Sequence, residues 1–132
     1  MLRITPFVMG HLVSAVLVGA GAGAFLSPNA MLIGGVGLLA GAVVSSLVCQ
    51  WKPGAEAPAW QLWAVAVLAN PVFLAALAFM AFDWKCVLGV QRGWNCLGAA
   101  MAIVATALCF LPPVGGLLWR AWKRYRARRR SV

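Results

Sequence analysis

The sequence is short of acidic side chains. Glu56 and Asp83 are its only carboxylates among 132 residues, and His11 is its one histidine. Metal sites and hydrolytic sites usually combine several carboxylates, histidines or cysteines in one cleft. Two carboxylates and one histidine cannot supply such a set, and no Cys-x-x-Cys pair is present. The composition therefore argues against an enzyme, and we expect neither a metal ion nor another cofactor.

Charge of either sign is scarce, whereas apolar residues are abundant. The chain is 64% hydrophobic and 10% charged, compared with about 45–50% and about 25% in soluble domains. A chain of this length cannot hide so much apolar surface in a core of its own. The composition therefore predicts that hydrocarbon surrounds most of the protein.

Four uncharged stretches are long enough to cross a bilayer. They hold 20 or 23 residues each and cover 7–26, 30–49, 60–82 and 97–119. Crossing the hydrocarbon core takes about 20 helical residues, and a helix satisfies its own backbone polar groups there. We predict an all-α fold, a polytopic membrane protein with a four-helix transmembrane domain over 1–119. A basic tail over 120–132 follows, and its apolar and basic residues are spaced as in a short helix that lies at the membrane interface.

The distribution of Lys and Arg predicts the orientation. With four crossings both termini share a side, which then carries nine of these residues against two on the other. The excess predicts that both termini face the cytoplasm of a bacterial-type inner membrane. All seven Trp residues fall at or near predicted helix ends, as expected for headgroup anchors. Residues 1–30 also resemble a signal peptide, but the 20-residue apolar run exceeds the usual length, so we favour a retained helix.

The basic tail holds seven of the eleven Lys and Arg residues. Anionic lipid at the cytoplasmic face attracts each such residue by about 1 kcal/mol. An acidic partner protein is a second interpretation, and nucleic acid is unlikely because stacking aromatic residues are few. We expect the tail to contact anionic headgroups through Arg120, Lys123, Arg124, Arg126, Arg128, Arg129 and Arg130.

Small residues recur at four-residue spacing in the first two predicted helices. Such faces let helix backbones approach closely in lipid. The predicted packing residues are Gly19, Gly23, Gly37, Gly41 and Ser45. They favour a tight hairpin of the first two helices, or association with other membrane subunits or a second copy.

Asn70 and Pro71 interrupt the third predicted helix near its centre. Proline removes one helical hydrogen bond, so this pair predicts either a simple kink or the ion-coordinating break of a pore. We favour the kink and expect Asn70 to face protein. His11 lacks a carboxylate within any predicted helix to pair with, so a proton relay or haem ligand is not indicated.

Cys86 and Cys96 lie ten residues apart in the outer loop. In an oxidising compartment this spacing suits a structural disulfide. Cys49 and Cys109 lie toward the cytoplasmic side, and we expect them to stay reduced.

Three functional hypotheses fit these features. The first is a non-catalytic helix-packing subunit or assembly factor of a larger inner-membrane complex. The second is a small oligomeric channel or transporter for a neutral or anionic solute, and the third is a membrane effector of the holin or immunity type. The scarcity of charged sites and the glycine-rich faces favour the first.

Overall fold

The computed structural model describes residues 4–54 and 56–131, and every regular element in those ranges is helical. The α-helices are α1 (Pro6–Ala24), α2 (Pro28–Trp51), α3 (Ala59–Leu68), α4 (Pro71–Phe82), α5 (Trp84–Val87), α6 (Leu97–Leu108) and α7 (Leu111–Arg130). A 3₁₀ turn, Trp94–Cys96, leads into α6. The predicted all-α fold is confirmed. Three segments are long and apolar enough to cross a membrane, or four if α3 and α4 form one bent span.

Three helices begin at the same local signal, which is a capping side chain followed by proline. Thr5, Ser27 and Asn70 each accept a hydrogen bond from a backbone N–H in the first turn, at 3.3, 3.1 and 2.9 Å. Proline then occupies the first helical position, where the helix requires no N–H and the ring fixes φ near its helical value. These dipeptides therefore set where α1, α2 and α4 start.

The predicted helix over 60–82 is two helices. α3 ends at Leu68 and α4 begins at Pro71, with a bend of 58° between them. The Pro71 ring disfavours helical backbone at the residue before it, and Asn70 accordingly adopts an extended conformation (φ −77°, ψ 117°). The helix stops and restarts at this point, which is a sharper break than the kink we expected.

The predicted helix over 97–119 is also divided, and its second part continues into the tail. α6 ends at Leu108, and α7 runs from Leu111 to Arg130. The two prolines after Leu111 lie in the first turn of α7, where a missing N–H costs the helix nothing. Residues 121–130 are all exposed. The basic tail is thus a continuation of α7 rather than a separate helix.

α1 lies between α2 and α7, and glycines bring the backbones together on both sides. A Cβ added at Gly19 would lie 2.7 Å from the carbonyl carbon of Gly34 on α2. A Cβ added at Gly10 would lie 2.9 Å from the carbonyl oxygen of Gly115 on α7. Neither site has room for a side chain. On the opposite side of the fold α4 packs on α6.

Two small hydrophobic clusters fill the space between these helices. One consists of Ala15, Leu38, Ala42, Val67, Phe73 and Cys109. The other consists of Phe7, Val8, Cys49, Leu62 and Ala66. Together they join α1 and α2 to α3, α4 and the end of α6.

The loop over 83–96 contains the predicted disulfide. The sulfur atoms of Cys86 and Cys96 lie 2.04 Å apart, and their Cα atoms 5.4 Å apart. Gly89 and Gly93, with φ of 73° and 119°, turn the chain between the two cysteines in conformations that favour glycine. The structure therefore places the predicted pair at disulfide distance.

Candidate functional site

Four polar side chains are buried between α1, α2 and the break that separates α3 from α4. They are His11, Ser45, Ser46 and Asn70, and each is at most 2% exposed. We call these four residues the buried polar cluster. A buried polar group costs free energy unless it forms hydrogen bonds. The hydrogen-bond partners of these four side chains therefore indicate the role of the cluster.

His11 and Ser46 join α1 to α2 by a side-chain hydrogen bond. The Ser46 Oγ lies 3.3 Å from the His11 Nδ1 and also donates to the carbonyl oxygen of Ala42. A serine hydroxyl has one proton. Because that proton is directed at the Ala42 carbonyl, we predict that Nδ1 carries the imidazole proton and donates it to Ser46. The Nε2 atom is then an acceptor, and it has no hydrogen-bond partner within residues 4–54 and 56–131.

This geometry is the reverse of the one that activates a serine nucleophile. A general base must accept the serine proton, whereas the predicted tautomer donates to the serine oxygen. Ser45 adds a second hydroxyl to the same Ala42 carbonyl, at 3.2 Å. No group of three His, Cys, Asp or Glu residues in the described part of the chain is placed to hold a metal ion. The cluster supports helix packing better than it supports catalysis.

Asn70 uses its side chain to start α4. Its Oδ1 accepts a hydrogen bond from the Val72 N–H at 2.9 Å. The same carboxamide lies against Gly41 of α2, where an added Cβ would overlap Oδ1. The absence of a side chain at Gly41 therefore leaves the space on α2 that the Asn70 carboxamide occupies. The structure places Asn70 against protein, in the position that the sequence led us to expect.

The remaining predicted packing glycines differ in their surroundings. Gly23 of α1 lies against the backbone of Met31, with no room for a Cβ. Gly37 of α2 has no atom within 4 Å of an added Cβ. Gly19, Gly23 and Gly41 thus lie at contacts within the chain, and Gly37 lies on the outer surface of α2.

Sequence analysis did not identify the contact between Trp63 and Phe110. The Trp63 indole N–H donates to the Phe110 carbonyl at 3.4 Å, and the two rings stack with centroids 5.5 Å apart. Phe73 of α4 meets the same Phe110 ring edge-on. Phe110 therefore links α3 and α4 to the junction between α6 and α7. Trp63 is partly buried within the fold, and its role as a headgroup anchor stays a prediction.

A basic cleft lies where α1 begins. Arg120 is 9% exposed and donates from its guanidinium to the Ala57 carbonyl at 2.8 Å. Arg124 pairs with Glu56 at 3.2 Å. With Thr5 and Lys123, these side chains line a cavity of about 300 Å³, which we call the basic cleft. The start of α1, the loop after α2 and the end of α7 consequently share one end of the fold.

Sequence spacing gave no sign of the basic cleft, because its residues come from three distant parts of the chain. The other basic residues of the tail lie outside it. Arg126 lies over the ring of Trp122 at 4.1 Å, and Arg129 lies over Tyr125 at 4.8 Å. Arg128 and Arg130 are exposed at the end of α7.

No protein-family model, curated protein or solved structure matches this chain. Function is therefore inferred from the chain's own residues and contacts.

Proposed function

We propose that this chain is a non-catalytic, multi-pass subunit or assembly factor that packs against other helices in a larger membrane complex. The observation that carries this proposal is that most of the apolar surface of the helices is not buried within the fold. In the most apolar windows of α1, α2 and the Trp94–Arg130 segment, 39%, 33% and 28% of residues are buried. The rest of that surface is free to meet lipid or another protein.

Small residues on the uncovered surface favour a protein partner. Gly21 and Gly37 have no atom within 4 Å of an added Cβ, so their backbones are open to close approach by another helix. Without a hydrophobic drive between helices in lipid, such close approach is a main source of association. Gly21 is exposed and Gly37 is half-buried, and a partner helix would contact α1 and α2 at these two positions.

Purification from native membranes tests this proposal. A tagged full-length chain is extracted in a mild non-ionic detergent, and co-purifying proteins are identified by mass spectrometry. The subunit role predicts a complex of fixed composition that also forms with the tag at the other terminus. Recovery of the chain alone, from membranes in which it is at its native level, would count against this role.

A bacterial-type inner membrane with both termini in the cytoplasm is the location we propose. The support is the excess of Lys and Arg on the side of the termini. The end of the fold that holds Thr5, Glu56 and Lys123 around one cavity is then the cytoplasmic end, and the disulfide loop faces the oxidising side.

A small oligomeric channel for a neutral or anionic solute is the second candidate. Its support is the break at Asn70 within an apolar segment, together with the Nε2 of His11, which has no hydrogen-bond partner among the described residues. Asn70→Ser is the suitable variant for liposome flux, because serine keeps an oxygen that caps α4 and removes the amide. A channel lined by Asn70 predicts altered flux in this variant. Equal flux in the wild type and the variant would contradict it.

A further inference from the structure

We propose that the basic cleft binds the phosphate of an anionic phospholipid headgroup. The site is independent of the subunit role, since it needs only the single chain and a bilayer. It is more specific than a general attraction of the tail to lipid, because it assigns the contact to three of the seven basic tail residues.

The basic cleft presents three cations around one cavity. Arg120, Lys123 and Arg124 line it, and Glu56 is its one carboxylate. Two positive charges therefore remain uncompensated. A second cavity of about 270 Å³ lies beside it and is also lined by Arg120 and Arg124, so the two guanidinium groups stand between two open spaces.

Arg120 is held in place before any ligand arrives. It is 9% exposed, and the Ala57 carbonyl accepts one of its hydrogen bonds. A guanidinium has five N–H groups in a planar fork that suits phosphate oxygens. In the described part of the chain the bond to Ala57 is the one hydrogen bond of this side chain. The Arg120 guanidinium therefore has N–H groups left to donate to a ligand. Because the side chain is already held in place, binding costs little additional conformational entropy.

The basic cleft lies at the end of an apolar segment, where lipid phosphates are expected. Arg120 directly follows the apolar segment that ends at Trp119. The rings of Trp119 and Trp122 contact each other at 5.6 Å, and Trp residues favour the headgroup region. Pro6 and Phe7 supply an apolar wall to the same cavity, which suits the glycerol and first acyl carbons of a lipid better than a free ion.

Glu56 competes with the ligand for Arg124. Its side chain is 92% exposed, and its carboxylate lies 3.2 Å from the Arg124 guanidinium. Exposed ion pairs of this kind are weak, so a phosphate can displace the carboxylate. Replacing Glu56 by Gln should therefore tighten lipid binding, an effect that simple loss of fold would not produce.

Native mass spectrometry of the detergent-purified full chain tests the proposal. The probe is phosphatidylglycerol, titrated in parallel with phosphatidylcholine, and the readout is the fraction of protein that carries lipid. We expect preference for phosphatidylglycerol and a loss of about tenfold or more in affinity for Lys123→Gln/Arg124→Gln. Glu56→Gln should raise the affinity. Thermal unfolding of each variant confirms that it is folded.

Arg128→Gln/Arg130→Gln is the matched control, because it removes the same charge from the same helix outside the cleft. The proposal expects near wild-type binding in this control. Equal losses in both double variants would show diffuse charge attraction and overturn the site. Displacement of the lipid by millimolar inorganic phosphate would assign the cleft to free phosphate and overturn the lipid assignment. Failure of either kind leaves the subunit role untouched.

Discussion

Gly19 and Gly21 lie two positions apart on α1, but only Gly19 is packed against another helix. An added Cβ at Gly19 would lie 2.7 Å from the Gly34 carbonyl carbon, whereas no atom lies within 4 Å of one at Gly21. We predict that Gly19→Ala lowers the free energy of unfolding by about 1–3 kcal/mol through overpacking. Gly21→Ala should leave it unchanged or raise it by up to about 1 kcal/mol. Unfolding in mixed micelles with increasing SDS measures both, and similar losses in the two variants would contradict the α1–α2 contact.

The hydrogen bond between His11 and Ser46 gives a prediction that does not depend on stability. Because Ser46 donates to the Ala42 carbonyl, the imidazole proton should reside on Nδ1. Nitrogen-15 NMR of histidine-labelled protein distinguishes the two neutral tautomers. A proton on Nε2 would show that the side-chain arrangement is different from the one described.

Ser46→Ala and Ser45→Ala form a matched pair of variants. Both hydroxyls bond to the Ala42 carbonyl, but only Ser46 also contacts His11. Removal of Ser46 leaves a buried imidazole N–H unpaired, at a cost of about 1–3 kcal/mol. The Ser45 variant should lose less, about 1 kcal/mol or below. The reverse order, measured by the same unfolding assay, would contradict this account.

At the scale of whole helices, Trp63 secures α3 to the junction of α6 and α7. Trp63→Phe keeps an aromatic ring against Phe110 and removes the indole N–H that donates at 3.4 Å. We expect a loss of about 0.5–1.5 kcal/mol. Trp63→Ala also removes the ring and should cost about 3–5 kcal/mol. If Trp63→Ala unfolds no more readily than the wild type, the result contradicts a stabilising contact between Trp63 and Phe110.

Helix starts and breaks could be predicted from the sequence where local chemistry decides them. Thr5 and Ser27 precede prolines and begin helices, and the cysteine spacing in the 83–96 loop predicted a pair that the structure places at disulfide distance. The size of the break at Asn70 was underestimated, because the composition of an apolar run gives no measure of how far a proline turns the chain.

Contacts between distant helices could not be predicted in the same way. Gly10 meets Gly115, and Trp63 meets Phe110, but spacing rules describe one helix face at a time. Spacing rules do not state which two helix faces meet, because hydrocarbon solvates every apolar face equally. The pairing of Arg124 with Glu56 could likewise not be predicted, since it depends on where α7 ends relative to the loop after α2.

For the molecule as a whole, the distribution of charge predicts its orientation. Reporter fusions to the C-terminus test this orientation. A fluorescent protein reports a C-terminus in the cytoplasm, and alkaline phosphatase reports one in the periplasm. We expect fluorescence and no phosphatase activity in a bacterial host, because the proposed four crossings place nine Lys and Arg residues on the side of the termini. The same pair of reporters inserted after Val90 in the disulfide loop should give the opposite result. Phosphatase activity at the C-terminus would invert the proposed topology and move the basic cleft outside.

The most direct test of the whole account is alkaline carbonate extraction of native membranes at high pH. Carbonate strips proteins held by charge alone, whereas chains that span the bilayer stay in the membrane pellet until detergent dissolves it. Residence of the apolar helices in hydrocarbon predicts that the full-length chain remains in the pellet and is released by detergent. Recovery of folded chain in the carbonate supernatant would contradict the account, since it would mean that water surrounds these helices.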